Sequence, residues 1–443
     1  MNRLVLEDQP LPSSLTKTLG LPGATLAGLG SILGTGAFLA LGLAAATAAD
    51  SFIYAIPIAA LLATCNALSS AELAAAHPVA GGTYEYAHRL VHPLAGFTAG
   101  WLFLAAKSCS AAAAALTLAS YTQTATGLQA PLTKPALALA IILLTTTIAY
   151  AGLRRSTQAN AILVTLTLTG LMSLLLTAFW LNPTATTATP ATGELTQNTA
   201  GIHPFLEATA LIFVAFTGYG RMATLGEEVR DPRKTIPRAV ILTLIICAML
   251  YTTLARASLN TLSTAGFAQT TRETGAPLQA VADQLAGQPL VLILTLAATT
   301  ALLGVLLNLI LGLSRVLLAM ARRHEAPALF ARINTQATNP PAAVIAIGLL
   351  IASIAITTNA SLAWSVSALT VLIYYALTNL AALRLKPEDR LYRRWIPTAG
   401  LLGCLTLLPC IESSAWLVTG LLCIAGGIWR QTCKAGQHPH NSE

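Results

Sequence analysis

Apolar residues run through this chain in long blocks, with polar residues collected in the gaps between them. Clear examples are Ala136 to Ala151, Ala161 to Leu181, Ala239 to Leu254, Leu290 to Leu313 and Ala342 to Ile356. A membrane-spanning helix needs roughly 20 mostly apolar residues. At that length the pattern predicts about twelve helical spans, near 21–47, 52–76, 94–122, 132–152, 158–181, 203–221, 236–258, 286–321, 340–358, 361–384, 396–411 and 414–430. Glycines interrupt two of them. Gly30-Ser31-Ile32-Leu33-Gly34-Thr35-Gly36 breaks the first span, and Phe213-Val214-Ala215-Phe216-Thr217-Gly218-Tyr219-Gly220 breaks the sixth. In lipid, backbone released from its helical hydrogen bonds must find partners inside the protein or in a water-filled cavity. Glycine also serves tight helix packing, but two breaks in register favour functional unwinding.

Five spans that start on one side, followed by five that start on the other, carry the topology of an inverted repeat. The predicted class is therefore an all-α integral membrane protein of 5+5 inverted-repeat form, with helices 1 and 6 broken. Its parts are an N-terminal segment (1–20), a first five-helix repeat (21–181), a second, inverted one (203–384), two additional C-terminal helices (396–430) and a tail (431–443). The halves share no strong residue-level similarity, so the repeat rests on topology and on the paired breaks. The Thr-rich stretch 182–201 and the stretch 259–285 are the long loops at one face, and Pro277 to Leu285 is expected to form a short lid-like helix.

Composition supports the membrane reading. Charged residues are 9% of 443, against about 25% in soluble domains, and mean hydropathy is +0.68. The formal charge of +8 invites a nucleic-acid partner, but its distribution argues against one. With Met1 in the cytoplasm, 21 basic residues fall on the inner side; Lys134, Arg256 and Arg272 fall outside, and Lys107 lies within a span. This skew predicts a multi-pass protein of the cytoplasmic (inner) membrane with both termini cytoplasmic. The segment before Gly20 has no apolar core of signal-peptide length, so span one is expected to act as its own targeting signal. The seven cysteines are scattered without metal-ligand or redox spacing and read as small packing residues. No histidines pair into a metal site, and no G-x-S-x-G or H-E-x-x-H string marks an enzyme.

Several strings resemble those of a known group. Gly34-Thr35-Gly36-Ala37-Phe38 is similar to the G-[ST]-G-I-F signature of amino acid permeases. Pro78-Val79-Ala80-Gly81-Gly82-Thr83-Tyr84-Glu85-Tyr86 matches their P-x-x-G-G-x-Y-x-Y loop, and Gly96 to Trp101 their G-F-x-x-G-W. Phe213 to Tyr219, followed by Gly226-Glu227-Glu228-Val229-Arg230-Asp231-Pro232-Arg233-Lys234-Thr235-Ile236-Pro237-Arg238, resembles F-F-A-[YF]-x-G-F and E-E-x-x-[ND]-P-x-[RK]-x-I-P. Ser314 to Arg322 resembles S-R-x-L-Y-A-M-A-R, and Asn339-Pro340-Pro341-Ala342 the string that opens span nine. Across roughly residues 20–345 these identify the chain as resembling the amino acid–polyamine–organocation superfamily.

The resemblance implies a secondary transporter, not an enzyme, that moves amino acids by alternating access. The small-molecule substrate and the lipid bilayer are the partners; no cofactor and no obligatory protein partner is expected. An amino acid carries a carboxylate and an ammonium on one carbon. Free N–H groups at Thr35 and Gly36 suit the carboxylate, while carbonyls near Ser31, Ile32 and Leu33, and at Val214, Ala215 and Thr217, suit the ammonium. Gly34 and Gly218 permit the unwinding. The resemblance implies the same roles at Ile32, Thr35, Gly36, Val214 and Thr217. Many relatives carry an aromatic residue where Val214 stands; here Phe213 or Phe216 is the candidate cover, and a more open site is the alternative. The breaks hold no acid, which favours a neutral amino acid; a cationic one, or a polyamine, is the alternative, using Glu207.

A charge inside a membrane costs about 2.5–3.5 kcal/mol on insertion scales, which makes Lys107 and Glu207 functional suspects. Proton-coupled relatives often place a lysine in span five, where this chain has Thr167. Lys107 is expected to take that role from span three, bonding first-break carbonyls or Thr299, Thr300 or Asn308; a snorkelling lysine is the plain alternative. The coupling ion, H+ or Na+, and exchange without an ion stay open. Glu207 equally suits a wet vestibule. Glu72, Arg89, Glu227, Glu228 and Arg315 form a candidate inner gate of ion pairs, with a solvated polar face as the alternative. A membrane receptor or sensor that binds without transport is the competing function of another class.

Overall fold

In a computed structural model the protein is described over residues 20–77, 81–127, 133–152, 157–181, 201–220, 229, 231–333 and 340–435. Among these residues there is no β-sheet, and fifteen α-helices carry the chain. The first is α1 (Leu21–Ile32), which begins with proline at its first turn and ends at Leu33, where the backbone turns extended (φ −72°, ψ 105°). A π-helical turn (Gly36–Ala40) and α2 (Leu41–Ala48) resume the rod. Then follow α3 (Phe52–Ala76), a short amphipathic α4 (Thr83–Leu90), α5 (Pro93–Thr126), α6 (Thr133–Tyr150) and α7 (Thr157–Leu181). The second half opens with α8 (Ile202–Phe216), which passes into a 3-10 turn (Thr217–Tyr219). It continues with α9 (Pro232–Glu273), α10 (Pro277–Ala286), α11 (Gln288–Arg322), α12 (Pro341–Thr357), α13 (Ala360–Leu383), α14 (Trp395–Leu407) and α15 (Ser413–Ala435).

Every predicted span is helical, but twelve crossings are not established. Eight helical runs among the described residues are long and apolar enough to cross a membrane, and α14 with α15 passes the same test as one pair bent by 111°. The first segment is too short on its own because its helix stops at Ile32, and α12 is likewise short. The predicted loop 259–285 is mostly helical: α9 runs past a kink at Ser263 (φ 58°) and α10 follows it. The stretches 182–200 and 436–443, and residues before Gly20, lie outside the described residues.

Burial is inverted relative to a water-soluble protein. Leu143, Ile162, Phe179, Trp180, Leu349 and Leu417 face outward, and so large an apolar exterior is a membrane surface. The interior centres on α5, whose most apolar stretch is almost wholly enclosed. Ala111 to Ala115 have almost no exposure; small side chains let α11 and α13 approach the α5 backbone closely. Ser110 Oγ and Ser367 Oγ lie 2.6 Å apart across the α5–α13 contact.

Candidate functional site

The site is built where the two interruptions meet. At the first, the extended backbone at Leu33 detaches α1 from the π-turn. The Gly34 carbonyl then accepts from the N–H groups of Ala37 and Phe38. Thr35 and Gly36 open the resumed helix, where leading N–H groups have no partner within the helix. The Thr35 Oγ1 is buried without a hydrogen-bond partner among the described residues. The Ile32 carbonyl, which the break would leave orphaned, accepts from the Tyr251 hydroxyl of α9 at 3.1 Å. One turn on, the Phe38 carbonyl accepts from the Tyr121 hydroxyl of α5 at 3.0 Å.

The second interruption is tighter. The Thr217 N–H and the Thr217 hydroxyl both donate to the Val214 carbonyl, the latter at 2.7 Å. That carbonyl is therefore already engaged. Gly218 lies directly against the Ser31 carbonyl, so that any Cβ there collides with backbone. Gly36 meets Ala215 and Tyr251 in the same way: a Cβ on Gly36 would lie 2.6 Å from the Ala215 Cβ and 2.6 Å from the Tyr251 hydroxyl oxygen. The broken helices thus touch backbone to backbone. Phe213 and Phe216 are fully buried; Phe213 meets Tyr375 edge to face and Phe216 meets Tyr251 at a tilt, with ring centroids 5.8 Å and 5.3 Å apart. The chain beyond Gly220, including Glu227 and Glu228, lies outside the described residues up to Val229.

Lys107 reaches the second break, not the first. Its ammonium donates to Thr217 Oγ1 at 2.7 Å, and it is the one buried basic side chain among the described residues. The expectation that it bonds Thr299, Thr300, Asn308 or first-break carbonyls is corrected by this contact. The geometric reason is that α5 presents Lys107 to Thr217, at the end of α8. Thr167 takes another place. Its hydroxyl lies 2.9 Å from that of Thr300, beside a cavity of about 10 Å³ lined by Gly30, Leu33, Val164 and Ala301 among others, room for roughly one water. Thr299 donates to its own helix, and Asn308 makes no hydrogen bond with a described residue. Glu207 is half-buried beside Glu412, seven residues before Val214 and so about 10 Å away along the helix.

Each end of the bundle carries its own polar contacts among the described residues. At the Asp50 end, Arg272 donates to the Ala46 carbonyl at 3.0 Å, Thr264 to Asp50, and Gln279 to the Tyr121 carbonyl at 2.8 Å. At the other end, Arg323 is paired with Glu85 and arches over the Tyr84 ring, whose hydroxyl donates to Glu325 at 2.6 Å. Burial, reinforced by that carboxylate, pushes the Tyr84 phenol up. Arg89 pairs with Glu85 at 3.5 Å. Glu72 is buried and accepts from the N–H groups of Leu391 and Tyr392, so it anchors the link before α14 and pairs with no arginine among the described residues. Arg315 is exposed and makes no ion pair with a described residue.

Sequence reasoning missed Tyr251, Tyr121 and the pairing of Glu85 with Arg323. Tyr251 sits in an ordinary apolar run, and nothing local signals its partner 219 positions away. Glu85 stands inside a recognisable string, and only its role was unassigned.

Comparison with known proteins agrees with this architecture. The amino acid permease family matches residues 23–440. The chain is 37% identical to an uncharacterised transporter of Mycobacterium tuberculosis, over 91% of this chain and 88% of that one. It is 26% identical to a branched-chain amino acid permease of Bacillus subtilis, covering 74% and 72%. It is 28% identical to the vacuolar cationic amino acid transporter 4 of Arabidopsis thaliana, covering 85% and 65%.

Proposed function

The chain belongs to the amino acid permease family of the amino acid–polyamine–organocation superfamily, and from that premise we propose that it is a secondary active carrier of neutral amino acids. The observation that carries the reading is the meeting of the two interrupted helices at Gly36, Ala215 and Gly218, with the Ile32 carbonyl and Thr217 turned to the same junction. The substrate ammonium takes the carbonyls of Ser31 to Leu33 and the Thr217 side. The carboxylate takes the N–H groups at Thr35 and Gly36, where a helix begins, with Thr35 Oγ1 as a spare donor. Opening of the junction from alternate sides moves the substrate across, as the five-helix units 21–181 and 203–384 rock about their pseudo-two-fold axis.

A neutral substrate is favoured because Lys107 already places a cationic nitrogen at the junction, while Glu207 stands about 10 Å off along α8. A side chain with a positive charge of its own, beyond the ammonium and carboxylate that every amino acid carries, adds repulsion in surroundings that screen little. The branched-chain permease among the relatives fits this choice, and the cationic transporter among them marks the alternative. The coupling ion is proposed to be H+ or Na+: a proton would load at Lys107, and a sodium ion beside Thr167 and Thr300. We place the carrier in the cytoplasmic membrane with the Glu85 end and both termini inside, from the distribution of basic residues.

Proteoliposomes test this directly. Radiolabelled leucine, alanine, lysine and putrescine are offered to substrate-loaded vesicles under imposed H+ or Na+ gradients. Counterflow of a neutral amino acid is expected. Saturable binding without counterflow of any amino acid would identify a receptor and overturn the carrier reading.

A further inference from the structure

Lys107 stands where the proposed substrate would put its own ammonium. Thr217 and Val214 form the polar rim of the second break, and the Lys107 ammonium donates to Thr217 while Thr217 donates to Val214. The Ile32 carbonyl, at the first break, is met by the Tyr251 hydroxyl. Each break therefore has an acceptor engaged by a donor belonging to the protein. The backbones at Gly36, Ala215, Gly218 and Ser31 are in contact at the same time. Unsatisfied polar groups are costly in a low-dielectric interior, so a carrier can pass through its closed form only when such acceptors have partners.

We propose that Lys107 is a tethered stand-in for the substrate ammonium, and that it lets the carrier close and reorient without cargo. The consequence is a transport mode. A carrier whose breaks need the substrate's donors can reorient only when loaded, and is restricted to exchange. This chain supplies the donor on α5, so it performs net transport as well as exchange. The substrate ammonium competes with Lys107 for Thr217, and release of Lys107 accompanies loading. The proposal rests on the permease reading given above.

Two fluxes measured on the same proteoliposomes test it: efflux of labelled amino acid into substrate-free buffer, and counterflow into substrate-loaded vesicles. The wild type is expected to show both at comparable rates. In Lys107→Met the ratio of net efflux to counterflow should fall about tenfold, because only the unloaded closed form loses its partner. Lys107→Arg, which keeps a cationic donor, should recover part of that ratio. Counterflow by the wild type without net efflux overturns the proposal while leaving the carrier reading intact; so does a ratio in Lys107→Met equal to that of the wild type. If Lys107→Met is inactive in both assays, Thr217→Val is measured for the same ratio, and an unchanged ratio there overturns the proposal. Absence of counterflow for every amino acid tested overturns the carrier reading, and the stand-in with it.

Discussion

The two breaks solve one problem by different means. At the first, the helix ends outright at Leu33, and the freed Ile32 carbonyl is covered by a neutral hydroxyl from α9. At the second, the helix only tightens into a 3-10 turn, Thr217 bonds back to Val214, and a lysine from α5 donates to a lone pair of its hydroxyl. A hydroxyl covers an acceptor cheaply. A buried ammonium brings a desolvation cost that one hydrogen bond does not repay. The costlier device stands at the break that needed less repair, which is why we assign it to the transport cycle and leave Tyr251 as the cover of a frayed end.

Substitutions can break this contrast. The largest effect is expected for Gly218→Ala, because the added carbon meets the Ser31 backbone and the breaks can no longer touch. Core overpacking costs about 1–3 kcal/mol, and counterflow should be lost together with a lower unfolding temperature of the detergent-purified protein. A wild-type rate in that variant would mean that the breaks do not close on each other during transport.

Next in size is Tyr251→Phe. It strips the donor from the Ile32 carbonyl and should cost about 1–3 kcal/mol of stability. Added amino acid supplies a replacement donor, so ligand should raise the unfolding temperature more in this variant than in the wild type. Equal ligand-induced shifts would show that the substrate ammonium never reaches Ile32.

The smallest effect belongs to the water-facing end. Glu85→Gln neutralises the pairing with Arg323. The Arg323 side chain is 34% exposed and that of Glu85 9%, but the isosteric amide still accepts a hydrogen bond, so the loss is set at about 0–1 kcal/mol, as for a solvent-screened pair. Thermal unfolding should shift slightly at low salt and hardly at all at high salt. A large, salt-independent loss would place this pair in the same class as Lys107.

The fold class was legible because apolar periodicity and length speak directly about a lipid solvent. All twelve apolar blocks became helices, and the interruption at Gly34 is visible as a glycine string. The exact number of crossings was not legible. Leu21–Ile32 and Pro341–Thr357 are short, and the α14–α15 pair bends sharply at 411–412; the tilt and pairing of such segments depend on their neighbours. In the site, Lys107 could be singled out from the cost of a buried charge, but its partner could not. Thr217 lies 110 residues away, and a helix pattern reports which face is polar, not which distant group that face will meet.

By itself the sequence determined a lipid-embedded helical protein with two weak points in its rods and one cation among apolar residues. These follow from local chemistry: glycine permits the interruption, and hydrocarbon penalises an exposed peptide or charge. Tertiary structure alone decided that the two weak points touch, that Tyr251 covers one and Lys107 the other, and that Thr167 pairs with Thr300 beside the first. Such choices depend on how the other described helices pack with α5 and with one another, where a shift of one turn would exchange the partners.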